Sequence, residues 1–140
     1  MADISFTASD VAIGSQATRY LLGQAGEAVT QGQPVYLKAS DGKYYQTDAD
    51  VEATADAVGI ALTPAATDGF FIIVLPGTGA KLIFGTAVFT QGVTYYISTT
   101  KGKICVYGDL ASGDYVKPVG SASSSTTLNY DVNPALVVKP

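Results

Sequence analysis

The chain has no His, no Trp and a single Cys among its 140 residues. The missing His removes the commonest general base and the commonest metal ligand together. One thiol, Cys105, cannot close an intrachain disulfide, and without an imidazole to activate it there is no nucleophilic pair. Its place in the alternating run KICVY reads as a buried strand position. Charge is scarce as well: 14% of residues are charged, the only Arg is Arg19, seven Lys are scattered, and the net charge is −4. Binding to phosphate backbones needs clustered cations, so no nucleic-acid partner is expected. No apolar run approaches the ~18–20 residues that cross a bilayer, and no membrane partner is expected. The opening MADISFTASD lacks the basic-then-apolar pattern of a secretory signal.

What is abundant points to a folded β protein. Hydrophobic residues make up 47% of the chain, with nine Tyr and five Phe, which excludes the charge-rich, aromatic-poor composition of disordered chains. Fifteen Gly and six Pro punctuate short apolar runs, as many strands joined by turns require.

Two stretches read alike. AVTQGQPVYLKASDGK from Ala28 and AVFTQGVTYYISTTKGK from Ala87 differ by one insertion near Phe89 and then run in step at an offset of 60. Thr30-Gln31-Gly32 matches Thr90-Gln91-Gly92, Tyr36 matches Tyr96, and Gly42-Lys43 matches Gly102-Lys103. Val58-Gly59-Ile60-Ala61 then matches Val119-Gly120-Ser121-Ala122 at an offset of 61. Each copy reads as a Gln-Gly turn, a β-branched and aromatic strand, a Gly turn, a returning strand and a closing VGxA strand. Gly32, Gly42, Gly59, Gly92, Gly102 and Gly120 are therefore the expected structural turn positions. The returning strands are expected at Lys43–Thr47 and Lys103–Tyr107. Further strands are expected at Phe70–Leu75, buried on both faces, at Ala80–Gly85 and, short, at Thr126–Tyr130. ADVEATADA between the first returning strand and its VGIA would allow one or two helical turns.

The fold class expected is all-β, with eight to eleven strands in a β-barrel or β-sandwich of two internally repeated units. The repeat units span about 26–63 and 85–124 of a single β domain, 26–140. Residues 1–25 form a non-repeated N-terminal arm or edge segment, and the C-terminal ALVVKP is a second unrepeated end.

Chemistry is hard to find. Asp48, Asp50 and Glu52 alternate, but a calcium loop counted from Asp48 would need Gly and Glu where Ala53 and Gly59 stand. Pro76-Gly-Thr-Gly-Ala-Lys81 lacks the spacing and the following Ser or Thr of a phosphate loop. The Ser121–Ser125 run has no nucleophile elbow and no His. No catalytic residue, metal ligand or cofactor is assigned, and the protein is expected not to be an enzyme. The doublets Tyr44-Tyr45, Phe70-Phe71 and Tyr95-Tyr96 should each send one ring inward and one outward. Outward Tyr suits an interface.

AGEAVTQGQPVYLKASDGKYYQTDAD with AVGIALT, and AVFTQGVTYYIST with LASGDYVKPVGSA, resemble the head-decoration or cement proteins of tailed phages. The resemblance covers roughly Gly26–Val138 and carries no catalytic residues. It implies a virion protein, assembled in the host cytoplasm, that binds the capsid exterior as a homotrimer and cements neighbouring major capsid protein subunits. Under that reading the apolar ends, Ile4, Phe6, Val11 and Ile13 with Leu136, Val137 and Val138, are candidate subunit or capsid contacts. The other readings open at this point are a tail or fibre structural module and a carbohydrate-binding β-module.

Overall fold

The computed structural model describes residues 3–85, 87–130 and 137–140. Thirteen strands lie among them: β1 (Ala12–Ile13), β2 (Arg19–Gln24), β3 (Pro34–Lys38), β4 (Lys43–Gln46), β5 (Gly59–Ala61), β6 (Phe70–Leu75), β7 (Lys81–Ile83), β8 (Thr94–Ile97), β9 (Ile104–Val106), β10 (Tyr115–Val116), β11 (Pro118–Ala122), β12 (Thr127–Asn129) and β13 (Val137–Val138). The one α-helical turn, α1 (Glu52–Ala55), falls where the Ala-rich ADVEATADA allowed it. Every pairing between named strands is antiparallel.

The strands form a five-stranded sheet, β2-β6-β5-β3-β4, a six-stranded sheet, β1-β7-β12-β11-β8-β9, and a small ribbon, β10-β13. The registers of the two large sheets coincide at the sequence offsets above. Val35 pairs with Gln46 and with Gly59, and Tyr95 pairs with Val106 and with Gly120. Leu21 lies opposite Ile73, and Leu82 lies opposite Leu128. So β7 stands beside β12 as β2 stands beside β6.

The turn glycines sit at matching points. Gly32 and Gly92 have φ of 87° and 84°, and their N–H groups donate to Ala61 O and Ala122 O at 2.8 and 2.9 Å. Gly42 and Gly102 follow with φ of 70° and 72°. Gly59 and Gly120 answer a different need: a Cβ there would lie 2.6 Å from Val74 O or 2.1 Å from Asn129 O, so the neighbouring strands approach without room for a side chain.

Both sheets close on themselves. In the five-stranded sheet, the Gly26 N–H donates to Tyr44 O at 2.9 Å and Ala25 bridges Tyr44, joining the end of β2 to β4. Its interior holds Ala25, Val29, Val35, Ala61, Phe71 and Ile73. The six-stranded sheet is closed by the N-terminal segment. The Ile4 N–H donates to Ile104 O on β9 at 3.0 Å, and eight residues later Ala12 and Ile13 pair with Ile83 and Leu82 on β7. Ile4 and Val11 enter the main core with Leu82, Phe84, Tyr95, Ile97, Ile104 and Leu128, and Phe6 stands edge-on to Phe84 at 4.8 Å. Ile60 and Val74, on the outer side of the five-stranded sheet, belong to that same core and tie the two halves together.

One expectation for β6 needs correcting. Phe71, Ile73 and Val74 are buried, but Phe70 is 65% exposed, so the strand is not buried on both faces. Its outer side is covered at Val74 and uncovered at Phe70, because there it borders only β2.

Candidate interaction surface

Several of the residues that could do chemistry have structural partners. Among the described residues no three of His, Cys, Asp and Glu are grouped so as to hold a metal ion. Asp48 uses its Oδ1 to accept the Asp50 N–H at 3.0 Å, which shapes the turn before α1. The segment before Lys81 is tied to Thr18: the Lys81 N–H donates to Thr18 Oγ1 at 3.0 Å, and the same hydroxyl donates to Lys81 O at 3.3 Å. Glu27 pairs with Lys101 and accepts the Gln46 N–H at 2.9 Å, a polar link between the sheets. Lys43 pairs with Asp68 at 2.7 Å.

Cys105 is fully buried, and its Sγ lies 3.8 Å from Ile97 O. Desolvation pushes its thiol up to about 12, with the nearby Asp109 charge adding to the rise. The hydroxyl of Tyr45 donates to Asp41, which raises the phenol to about 12. Burial raises the Tyr130 phenol as well. An acid whose folded-state pKa lies above its unfolded value is held neutral by folding. The unfolded chain therefore releases these protons first as pH rises. Stability is full below about pH 8 and falls progressively toward pH 12. Denaturation midpoints between pH 8 and 11 should decline, and Cys105→Val should make the decline shallower. An unchanged slope would remove Cys105 from this account. The same thiol should react with a disulfide reagent only after denaturant opens the fold.

Two of the three aromatic doublets divide between faces: Phe71 and Tyr95 are buried, while Phe70 faces solvent and Tyr96 is half-buried; Tyr44 and Tyr45 are both half-buried, with Tyr44 packed against the smaller core. The expected contact residues are placed unevenly. Ile4 and Val11 are buried within the chain's own core, and Phe6 and Ile13 pack against it, so this end offers little apolar area to a partner. Val137 and Val138 on β13 are 57% and 51% exposed and paired with Val116 and Tyr115. Leu136 lies outside the described residues. Lys139 pins the ribbon: its Nζ donates to Leu110 O at 2.5 Å and to Tyr107 O at 3.1 Å, and stands over the Tyr107 ring at 4.2 Å.

A second apolar surface escaped the sequence pattern. Tyr20 and Leu22 on β2 are 61% and 69% exposed, and Phe70 on β6 joins them. Leu22 lies opposite Ile72 and Tyr20 opposite Val74, so all five share the outer face of the sheet. Three of them, Tyr20, Leu22 and Phe70, expose roughly 400 Å² of largely apolar surface, the size of patch that on a monomer commonly marks a contact. The one signal in the sequence was Tyr20-Leu21-Leu22, three consecutive apolar residues in a strand whose other face already fills the core.

The described residues form an all-β body with apolar surface left at a sheet edge, the kind of surface that commonly marks a contact. Residues 4–76, just over half of the chain, match the phage cement protein family. The chain belongs to that family, and its role in the phage is a structural, cementing one. No curated protein matches the chain. The match begins before the segment whose motifs carried the resemblance and ends where β6 ends, so it takes in the N-terminal closure and the whole five-stranded sheet.

Proposed function

We propose that this protein binds the outer face of a phage capsid and clamps neighbouring major capsid protein subunits, acting as a homotrimer that stabilises the mature head. Membership of the cement family is the observation that carries this reading. The body supports it: the sheets enclose buried cores, and apolar surface remains at β2, β6 and the Val137–Val138 end. A net charge of −4 keeps such a protein from competing for packaged DNA. Three copies in one trimer raise the effective concentration at each contact, so modest interfaces suffice. The matched strand registers further support a reading of residues 26–63 and 85–124 as two copies of one unit.

The test is addition of the purified protein to expanded heads that lack it. Saturable binding, external density bridging adjacent capsid subunits, and a higher melting temperature of the heads are expected. Heads that bind nothing, at any occupancy of added protein, would overturn the proposal.

A further inference from the structure

The exposed residues Tyr20 and Leu22 carry a second property. In β6 the Ile72 backbone faces β5, because Leu62 N–H donates to Ile72 O at 2.8 Å. The odd-numbered residues of β6 therefore face β2 and bond Arg19, Leu21 and Gly23, since antiparallel ladders alternate. Ala25 continues that series, with its N–H on Gly69 O at 2.8 Å and its O accepting from Asp68 at 2.7 Å. The peptide groups of Tyr20 and Leu22 consequently point away from β6. Strand β4 is tied to this side of the chain at Ala25 and Gly26, and the Tyr44 ring lies beside Gly23. Since β2 is the edge strand of its sheet, the ladder gives the N–H and C=O of Tyr20 and Leu22 no partner on β6.

The other half of the molecule supplies the comparison. β7 occupies beside β12 the place that β2 occupies beside β6, with Lys81 and Ile83 standing where Tyr20 and Leu22 stand. That edge of β7 is covered. Gly14 N–H donates to Lys81 O at 2.8 Å, Thr18 Oγ1 accepts the Lys81 N–H, and Ala12 pairs with Ile83. An extended segment of small and apolar residues, Val11 to Gly14, thus completes one sheet, while its counterpart is left open. Open edges are ordinarily protected by Lys, Pro, a bulge or an inward charge, and β2 carries only Arg19 at its start.

We infer that the free edge of β2 receives an extended segment of a capsid subunit, which adds to the five-stranded sheet as β1 adds to the six-stranded one. This deepens the proposed function and rests on it. The incoming strand bonds the peptide groups of Tyr20 and Leu22 and lays apolar side chains, at every second position, against Tyr20, Leu22, Ile72 and Phe70. Its register leaves Arg19 at one end, where an acidic residue of the segment fits. The size of the surface selects a capsid partner over a second copy. Roughly 400 Å² is about half of what each partner contributes to a standard stable complex, too little to hold a second copy by itself. A contact of that size holds when several act at once on one array, as on a shell.

Three variants separate strand addition from other contacts, measured as binding to expanded heads lacking the protein. Leu22→Asp removes the apolar side chain, Leu22→Pro removes a peptide donor that has no partner on β6, and Tyr20→Ser is a milder change kept in case either fails to fold. Circular dichroism melts first establish which variants are folded. Each folded variant should bind at least tenfold more weakly than the wild type, and the Tyr20 and Leu22 amides of the wild type should gain hydrogen-exchange protection on heads. Wild-type protein that fails to bind heads overturns the proposed function itself. Wild-type protein that binds, with variants binding equally and no protection at these amides, overturns this inference alone. Self-association in sedimentation that Leu22→Asp abolishes, with head binding intact, assigns the edge to a second copy and overturns it too.

Discussion

Deletion of residues 1–14 is expected to unfold the chain. The segment contributes Ile4 and Val11 to the main core, sets Phe6 against Phe84, and closes the six-stranded sheet at both edges, through Ile104 and through Ile83 and Leu82. Burial of side chains of this size stabilises by about 1.5–3 kcal/mol each, so the three together supply at most roughly 4.5–9 kcal/mol, an upper figure for a compact unfolded chain. The whole stability of a domain is only about 5–15 kcal/mol. A far-UV circular dichroism melt of the truncated chain should lack a cooperative transition. A cooperative melt within a few degrees of the full chain would mean that the segment is an appendage after all. The expectation also affects how capsid binding is tested: loss of binding on truncation reports unfolding, so point changes at Tyr20 and Leu22 are the informative ones.

The second large effect is expected at Gly120. Its absent Cβ would stand 2.1 Å from Asn129 O and 3.4 Å from the Leu128 side chain, so any larger residue must push β12 away from β11. Backbone cannot yield as a flexible side chain does, and overpacking of this kind costs about 1–3 kcal/mol or more. Gly120→Val should sit at or above the top of that range, measured by urea denaturation. Gly59→Val should behave alike, since its Cβ would meet Val74 O at 2.6 Å. Gly108 is the control: nothing lies within 4 Å of a Cβ there and its φ is not left-handed, so Gly108→Ala should be near neutral. Equal effects at Gly108 and Gly120 would refute the close-approach argument.

The contrast between these positions explains what could be read from the sequence. The hairpins were legible because their information is local. A Gly turn between two short aromatic or β-branched runs specifies β3 with β4 and β8 with β9, and the strand at Phe70–Leu75 was bounded to the residue. The edge strand β2 was not legible. Its inward residues, Leu21 and Gly23, give no alternation when Tyr20 and Leu22 are apolar for a different reason, on the outward side. Ile4 and Val11 looked like surface anchors because the partners that bury them, at Ile104 and around Leu82, are far away in the sequence. The family motifs pointed to cementing, but no motif distinguished which apolar residues face inward, since that depends on the closure of each sheet.

The N-terminal closure also bears on how the protein is made. Ile4 emerges from the ribosome early, yet its hydrogen-bond partner, Ile104, is synthesised 100 residues later. The five-stranded sheet needs nothing beyond Leu75 for its strands to pair, so it can form while synthesis continues. The six-stranded sheet must wait for β12, and during that wait the opening residues stay unpaired. This segment, translated before the strands it joins, is thus among the last to settle, and that long-range step should set the pace of folding. A bulky fusion partner ahead of Met1 would burden this step, whereas one attached behind Pro140 would leave it free.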